Sequence, residues 1–187
     1  MMDNKKDNYR LFEGRPVGMD CTEMEEKTYD FLDKIGVEYK TLKHPQAFTM
    51  EECQKVRDLI NAPVFKNLFL TNKQQTNFYL LLVPADKVFK TKYLSSQINS
   101  ARLSFADESH MQELLGVHPG SVTPLGLIND RGKIVSFLID SDLKKEDKFA
   151  CHPCINTASV VMNFQDLTQK IAPAIEHEIT WVNLPWE

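Results

Sequence analysis

The chain has 187 residues, 42% hydrophobic and 26% charged, with a formal net charge of −4; this suits one domain with a substantial core and shows no disordered or collagen-like bias. The negative balance excludes a global electrostatic pull on nucleic acid, which leaves a footprint of clustered Lys and Arg. The longest purely apolar run, Phe78 to Val83, is too short to span a bilayer, and the polar start MMDNKKDNYR lacks the apolar stretch of a secretory signal.

The expected setting is cytoplasmic, without a membrane partner, and there Cys21, Cys53, Cys151 and Cys154 are thiols rather than bridges. Residues 1–19, polar with Gly14, Pro16 and Gly18, read as a flexible or loosely docked arm ahead of a domain over 20–187. Thr22 with Glu25 forms a capping box opening a helix that carries Met24, Phe31, Leu32 and Ile35 and stops at Gly36. Alternation over 37–43 predicts a strand ending at His44-Pro45, and Thr49 with Glu52 opens a second capped helix. Val64–Leu70 and Phe78–Pro84, joined by the polar turn Thr71–Thr76, form a hairpin. Helices follow at about 87–99 and 107–115, then strands at 124–128 and 133–139, a strand over 157–162, a helix over 164–172 and a last strand over 179–182. Strands mixed with helices, without strict βαβ alternation, give an α+β class with a mixed central sheet of about six or more strands. Lys87, Lys90 and Lys92, and again Lys144, Lys145 and Lys148, form small basic clusters that read as solvated faces.

The stretch GVHPGSVTPLGLIND, Gly116 to Asp130, sets glycines and prolines between two apolar runs. It reads as a rigid turn that presents backbone: Gly120 lets its amide approach a ligand, while Pro119 and Pro124 restrict the chain around it. Lys66 shares a strand face with Val64, Leu68 and Leu70. It is either an edge lysine reaching for water or an ammonium aimed into a cleft, with Asn67 on the opposite face or the rim. Cys151-His152-Pro153-Cys154 has too few companions for zinc, which needs four ligands, and leads into a strand pattern rather than the helix that activates a redox thiol. His152, held by Pro153 with Asn156 close behind, is its more informative member. His44-Pro45 and Thr49 make a third polar turn, in which simple capping already accounts for Thr49. Nucleophile-elbow, Walker, His-Glu-x-x-His and dinucleotide motifs are absent from the sequence.

Lys66-Asn67-Leu68-Phe69-Leu70, Leu103-Ser104-Phe105-Ala106, Gly116-Val117-x-Pro119-Gly120-Ser121-Val122-Thr123-Pro124-x-Gly126-Leu127 and His152-Pro153-x-x-Asn156-Thr157-Ala158 together resemble the YbaK/ProX family of aminoacyl-tRNA editing domains. The similarity covers roughly residues 20–175 and is strongest to the freestanding Ala-tRNA(Pro) deacylases. It implies hydrolysis of the ester that joins a wrong small amino acid to tRNA(Pro), alanine first, with cysteine or another small residue as the alternative, and no cofactor or metal. Aminoacyl-tRNA is then the partner, with prolyl-tRNA synthetase as a further candidate. By the resemblance Lys66 binds the terminal nucleotide or the amino-acid end, the Gly120 amide orients the carbonyl, and His152 lines the pocket and places water. Asn67, His44, Thr49, Ser121, Pro124 and Asn156 complete the expected substrate-binding set, and Ser121, Ala158 and Ser159 are small residues suited to the pocket wall. A non-catalytic aminoacyl-tRNA binding module and a thiol oxidoreductase using Cys151 and Cys154 are the competing readings. The deacylase reading requires the Lys66 amine, the Gly120 amide and the His152 ring to meet around one small hollow.

Overall fold

The computed structural model describes residues 8–47 and 49–186; residues 1–7 of the polar arm lie outside them. The chain runs β1 (Arg10–Glu13), α1 (Glu23–Lys34), β2 (Tyr39–Lys43), α2 (Met50–Ile60), β3 (Lys66–Asn72), β4 (Phe78–Val83), α3 (Thr91–Gln97) and β5 (Leu103–Phe105). Then come α4 (Glu108–His110), which widens into a π turn over Met111–Leu115, a 3-10 turn over Pro124–Asn129, and β6 (Val135–Asp140). A second 3-10 turn, Ser141–Lys145, leads to β7 (Lys148–Cys151) and β8 (Ala158–Asn163); α5 (Phe164–Asp166) passes through a π turn, Leu167–Ile171, into α6 (Ala172–Ala174) before β9 (Ile179–Val182).

Both capping boxes form. Glu25 N donates to Thr22 Oγ1 and Thr22 N to Glu25 Oε2, and Thr49 with Glu52 repeats the exchange at α2, so each helix start has partners for orphan amide donors. The hairpin is β3–β4, in register from Lys66↔Val83 to Thr71↔Phe78. Its turn is organised by Asn72 Oδ1, which accepts from the backbone of Thr76 and Asn77.

The α+β class holds, but the strands divide into two sheets instead of one. One is antiparallel, in the order β1-β2-β8-β7; the other is mixed, in the order β5-β3-β4-β6-β9. A parallel bridge, Val64↔Ala150, and the bond from Ala150 N to Pro63 O at 2.8 Å link them where β3 begins. Strands β1, β5 and β7 were not among the expected elements. Residues 10–13, within the stretch read as an arm, pair with β2 from Arg10↔Lys43 to Glu13↔Lys40.

Strand β4 lies inside the mixed sheet and is apolar on both faces, as such a position requires. Phe78, Leu80 and Leu82 join the main core with Tyr29 and Leu32 of α1, while Leu81 and Val83 pack with Leu94 of α3 and Leu184. The strand expected at 124–128 is a 3-10 turn. Thr123 Oγ1 accepts from Leu125 N, Pro124 sits at its first turn, and residues 124–127 are all buried, which a strand alternating toward solvent does not allow. The first basic cluster also divides: Lys87 is buried, and Lys90 and Lys92 are exposed. Helix α3 starts only at Thr91.

Candidate functional site

A hollow of about 240 Å³ opens where the two sheets meet. The approach to β3 supplies Val64 and Phe65, and the strand itself Asn67; the loop after the π turn supplies Gly120 and Val122. The end of β7 contributes Ala150 and Cys151, followed by His152, and β8 contributes Ser159. Its size is below the roughly 300–1,000 Å³ of drug-sized pockets, which suits a small polar moiety better than a whole nucleotide.

The Gly116–Thr123 loop is held at both ends. Gly116 adopts φ +64°, and an added Cβ would meet Met24 Cε at 2.7 Å and Asn129 Nδ2 at 2.9 Å. Asn129 Nδ2 also donates to Leu115 O at 2.8 Å, tying the 3-10 turn to the end of the π turn. Ser121 N donates to His118 O, as does Ser121 Oγ, so Ser121 braces the loop from inside. Gly120 has φ +85°, and an added Cβ would lie 3.6 Å from Asn156 Nδ2. Backbone conformation, rather than space, is therefore what selects glycine there.

His152 Nδ1 lies 2.8 Å from Ala158 O. A carbonyl only accepts, so Nδ1 carries the proton and Nε2 is left as an acceptor. His44 is ordered in the same way: Nδ1 donates to Pro45 O at 2.8 Å, and Nε2 stands 3.0 Å from Ser159 Oγ. The ring centroids are 6.4 Å apart. Burial is the main force pushing both histidines below the ordinary value, with each backbone carbonyl opposing it.

The structure thus brings Gly120, His152 and Asn67 to one hollow, with Asn156 beside Gly120. It places Lys66 elsewhere, because side chains alternate along β3. Phe65, Asn67 and Phe69 look toward the hollow and the main core. Lys66 and Leu68 line a groove on the other side with Phe89, Lys90, Lys92 and Phe105. The Lys66 ammonium donates to Lys87 O at 2.9 Å, so the expected meeting of three groups holds for two of them. His44 stands behind Ser159 and is itself buried. Thr49 is exposed at the start of α2, where its hydroxyl caps the helix. Ser121 and Pro124 are buried supports of the loop and do not line the hollow. Val64, Phe65, Val122 and Ala150 were missed. The β8 alternation marks Ser159 as facing away from Val160 and Met162, but nothing local in the sequence shows that its neighbour there is His44.

Burial pushes the Cys151 thiol up to about 12 and the Cys154 thiol up to about 11, opposite to what a nucleophilic or redox thiol needs. Cys151 ends a strand and does not open a helix. In the folded protein at pH 8, iodoacetamide is expected to modify only Cys21 and Cys53, which are partly exposed, and to reach all four after urea unfolding. Peptide mass mapping checks this, and rapid native labelling of Cys151 would revive the redox reading. Among the described residues, no three His, Cys, Asp or Glu side chains gather in metal-binding geometry, and no helix is long and apolar enough to cross a membrane.

The profile of the aminoacyl-tRNA editing domain matches residues 44–170. The chain is 35% identical over 144 residues to the prolyl-tRNA editing protein ProX of Acetoanaerobium sticklandii, covering 76% of this chain and 87% of that protein. It is 33% identical over 139 residues to the prolyl-tRNA synthetase associated domain-containing protein 1 of Mus musculus, covering 72% and 82%. A crystal structure described as that of a candidate trans-editing enzyme for prolyl-tRNA synthetase superposes with a TM-score of 0.66 at 13% identity, over 89% of this chain and all of that one; at that identity the likeness speaks for the fold alone. By profile, sequence identity and the co-ordered motifs that build its hollow, the chain belongs to the aminoacyl-tRNA editing domain family.

Proposed function

We propose that this protein is an aminoacyl-tRNA hydrolase that removes a small wrong amino acid, alanine first, from tRNA(Pro). The observation that carries the reading is the hollow where the Gly120 backbone, the Nε2 acceptor of His152 and the Asn67 amide converge. An ester has an adequate leaving group. It needs a fixed carbonyl, a donor for the developing oxyanion and a positioned hydroxyl. In this reading the Gly120 backbone faces the carbonyl, and His152 Nε2 accepts a proton from water or from the neighbouring ribose hydroxyl. The ester oxygen leaves as the free 3′-hydroxyl of the terminal adenosine. A second, smaller site is needed because a pocket built for proline rejects a smaller side chain by only about 1–3 kcal/mol per missing methylene.

Lys66 takes a different part from the one its motif suggests. With Lys90 and Lys92 it forms a basic groove on the reverse face of β3, one residue from Asn67, so the tRNA backbone crosses there while its acylated end enters the hollow. Lys66→Ala is then expected to raise KM several-fold with kcat nearly unchanged, and to flatten the salt dependence of binding. A collapse of kcat at saturating tRNA would place the ammonium at the reacting atoms instead.

The test is a panel of tRNA(Pro) charged with labelled alanine, cysteine, serine or proline. Alanine is expected to be released above the buffer rate and proline retained. Tight binding of Ala-tRNA(Pro) with no release would assign the protein as a binding module.

A further inference from the structure

The His44–Ser159 pair stands beside the hollow without a part in the ester chemistry above. His44 and Ser159 are 5% and 4% exposed, so their polar atoms must satisfy each other or a ligand. His44 Nδ1 is committed to Pro45 O. Nε2 therefore has no proton to give, and the 3.0 Å contact to Ser159 Oγ is a hydroxyl donating to the ring. Burial, which holds His44 below the ordinary value, keeps that neutral ring in place. With its one hydrogen spent on His44, the Ser159 oxygen offers the hollow lone pairs only, and His152 Nε2 beside it is an acceptor as well. Since His152 Nε2 is engaged by the attacking hydroxyl in the reading above, the Ser159 oxygen is the acceptor that calls for an N–H donor on the ligand.

We propose that Ser159, oriented by His44, recognises the free α-amino group of the aminoacyl ester, so that the site selects against acyl groups lacking it. The inference rests on the deacylase reading for its substrate class. Ser159 is a specificity residue in contact with the ligand, and His44 is a positioning residue acting through it.

The test is binding of two non-hydrolysable adenosines, one with alanine amide-linked at the 3′ position and one with propionate, which lacks only the amine. The wild type is expected to prefer the alanyl compound about tenfold, in keeping with a charge-assisted hydrogen bond. Ser159→Ala and the near-isosteric Ser159→Cys, whose sulfur is a weak acceptor, should lose the preference by weakening alanyl binding more than propionyl binding. His44→Phe should reduce it. Equal affinity of the wild type for both compounds, or an equal loss for both in the Ser159→Cys variant, overturns the assignment. So does an acyl thioester trapped on Ser159→Cys with Ala-tRNA(Pro), formed as the thiol attacks the ester and the 3′-hydroxyl leaves, which would make the side chain a nucleophile. Release of alanine from Ala-tRNA(Pro) without a preference between the analogues sinks this inference alone, whereas the preference without release sinks the deacylase reading alone.

Discussion

Replacing Lys87 with methionine is expected to lower folding stability by about 3–5 kcal/mol, the cost of leaving one partner of a buried ion pair alone. Lys87 is fully buried, as is Asp140. Its ammonium donates to both Asp140 oxygens at 3.0 and 2.9 Å, to Asp142 Oδ2 at 2.7 Å and to Leu184 O at 2.8 Å, and lies 4.8 Å from the Trp186 ring centroid. One side chain therefore joins the segment after β4, the end of β6 and the C-terminal stretch. Methionine matches the stem in length but leaves two carboxylates facing each other. A stability of about 5–15 kcal/mol is usual for a domain, so the loss is a large fraction of the whole. Urea unfolding should show a lower midpoint with an unchanged slope, and adding Asp140→Leu should recover part of the loss. A midpoint shift worth less than about 1 kcal/mol would mean that water reaches Asp140 when the lysine is gone.

The second large effect is on turnover. His152→Ala is expected to slow release of alanine from Ala-tRNA(Pro) by about a hundredfold, the lower range for a positioned proton acceptor, with the melting temperature nearly unchanged because the ring is only half-buried. In the proposed mechanism the neutral ring is the active form, and burial depresses its pKa. The enzymatic rate, corrected for hydroxide-driven hydrolysis, should be flat above about pH 6.5. It should fall only at lower pH, as the ring takes a proton and loses its acceptor. Stability follows the same sign. For His44 and His152 the folded pKa lies below the unfolded one, so their contribution is complete above the unfolded value and is lost as pH falls through the folded value. A rate that fell already above pH 7 would contradict the burial that keeps the ring neutral.

Sequence alone determined those parts whose partners are near neighbours along the chain. The two capping boxes, the β3–β4 hairpin and the braced loop around Gly120 all depend on contacts within a short stretch of chain, and all form as read. Where local pattern and burial compete, the pattern misled: the apolar run at 124–128 reads as a strand, yet Thr123 and Pro124 turn it into a buried 3-10 segment. The candidate site shows the same division. Alternation puts Lys66 and Asn67 on opposite faces of β3, but in a mixed sheet covered on both sides neither face announces itself as the functional one. That choice was made by β7 and β8, which wall the hollow from the far sheet. His44 meets Ser159 across 115 positions, and Lys87 reaches Asp140 across 53 and Leu184 across 97. Hydrogen-bond chemistry makes such pairings favourable once the groups are buried together, and only the packing of the two sheets decides which groups those are.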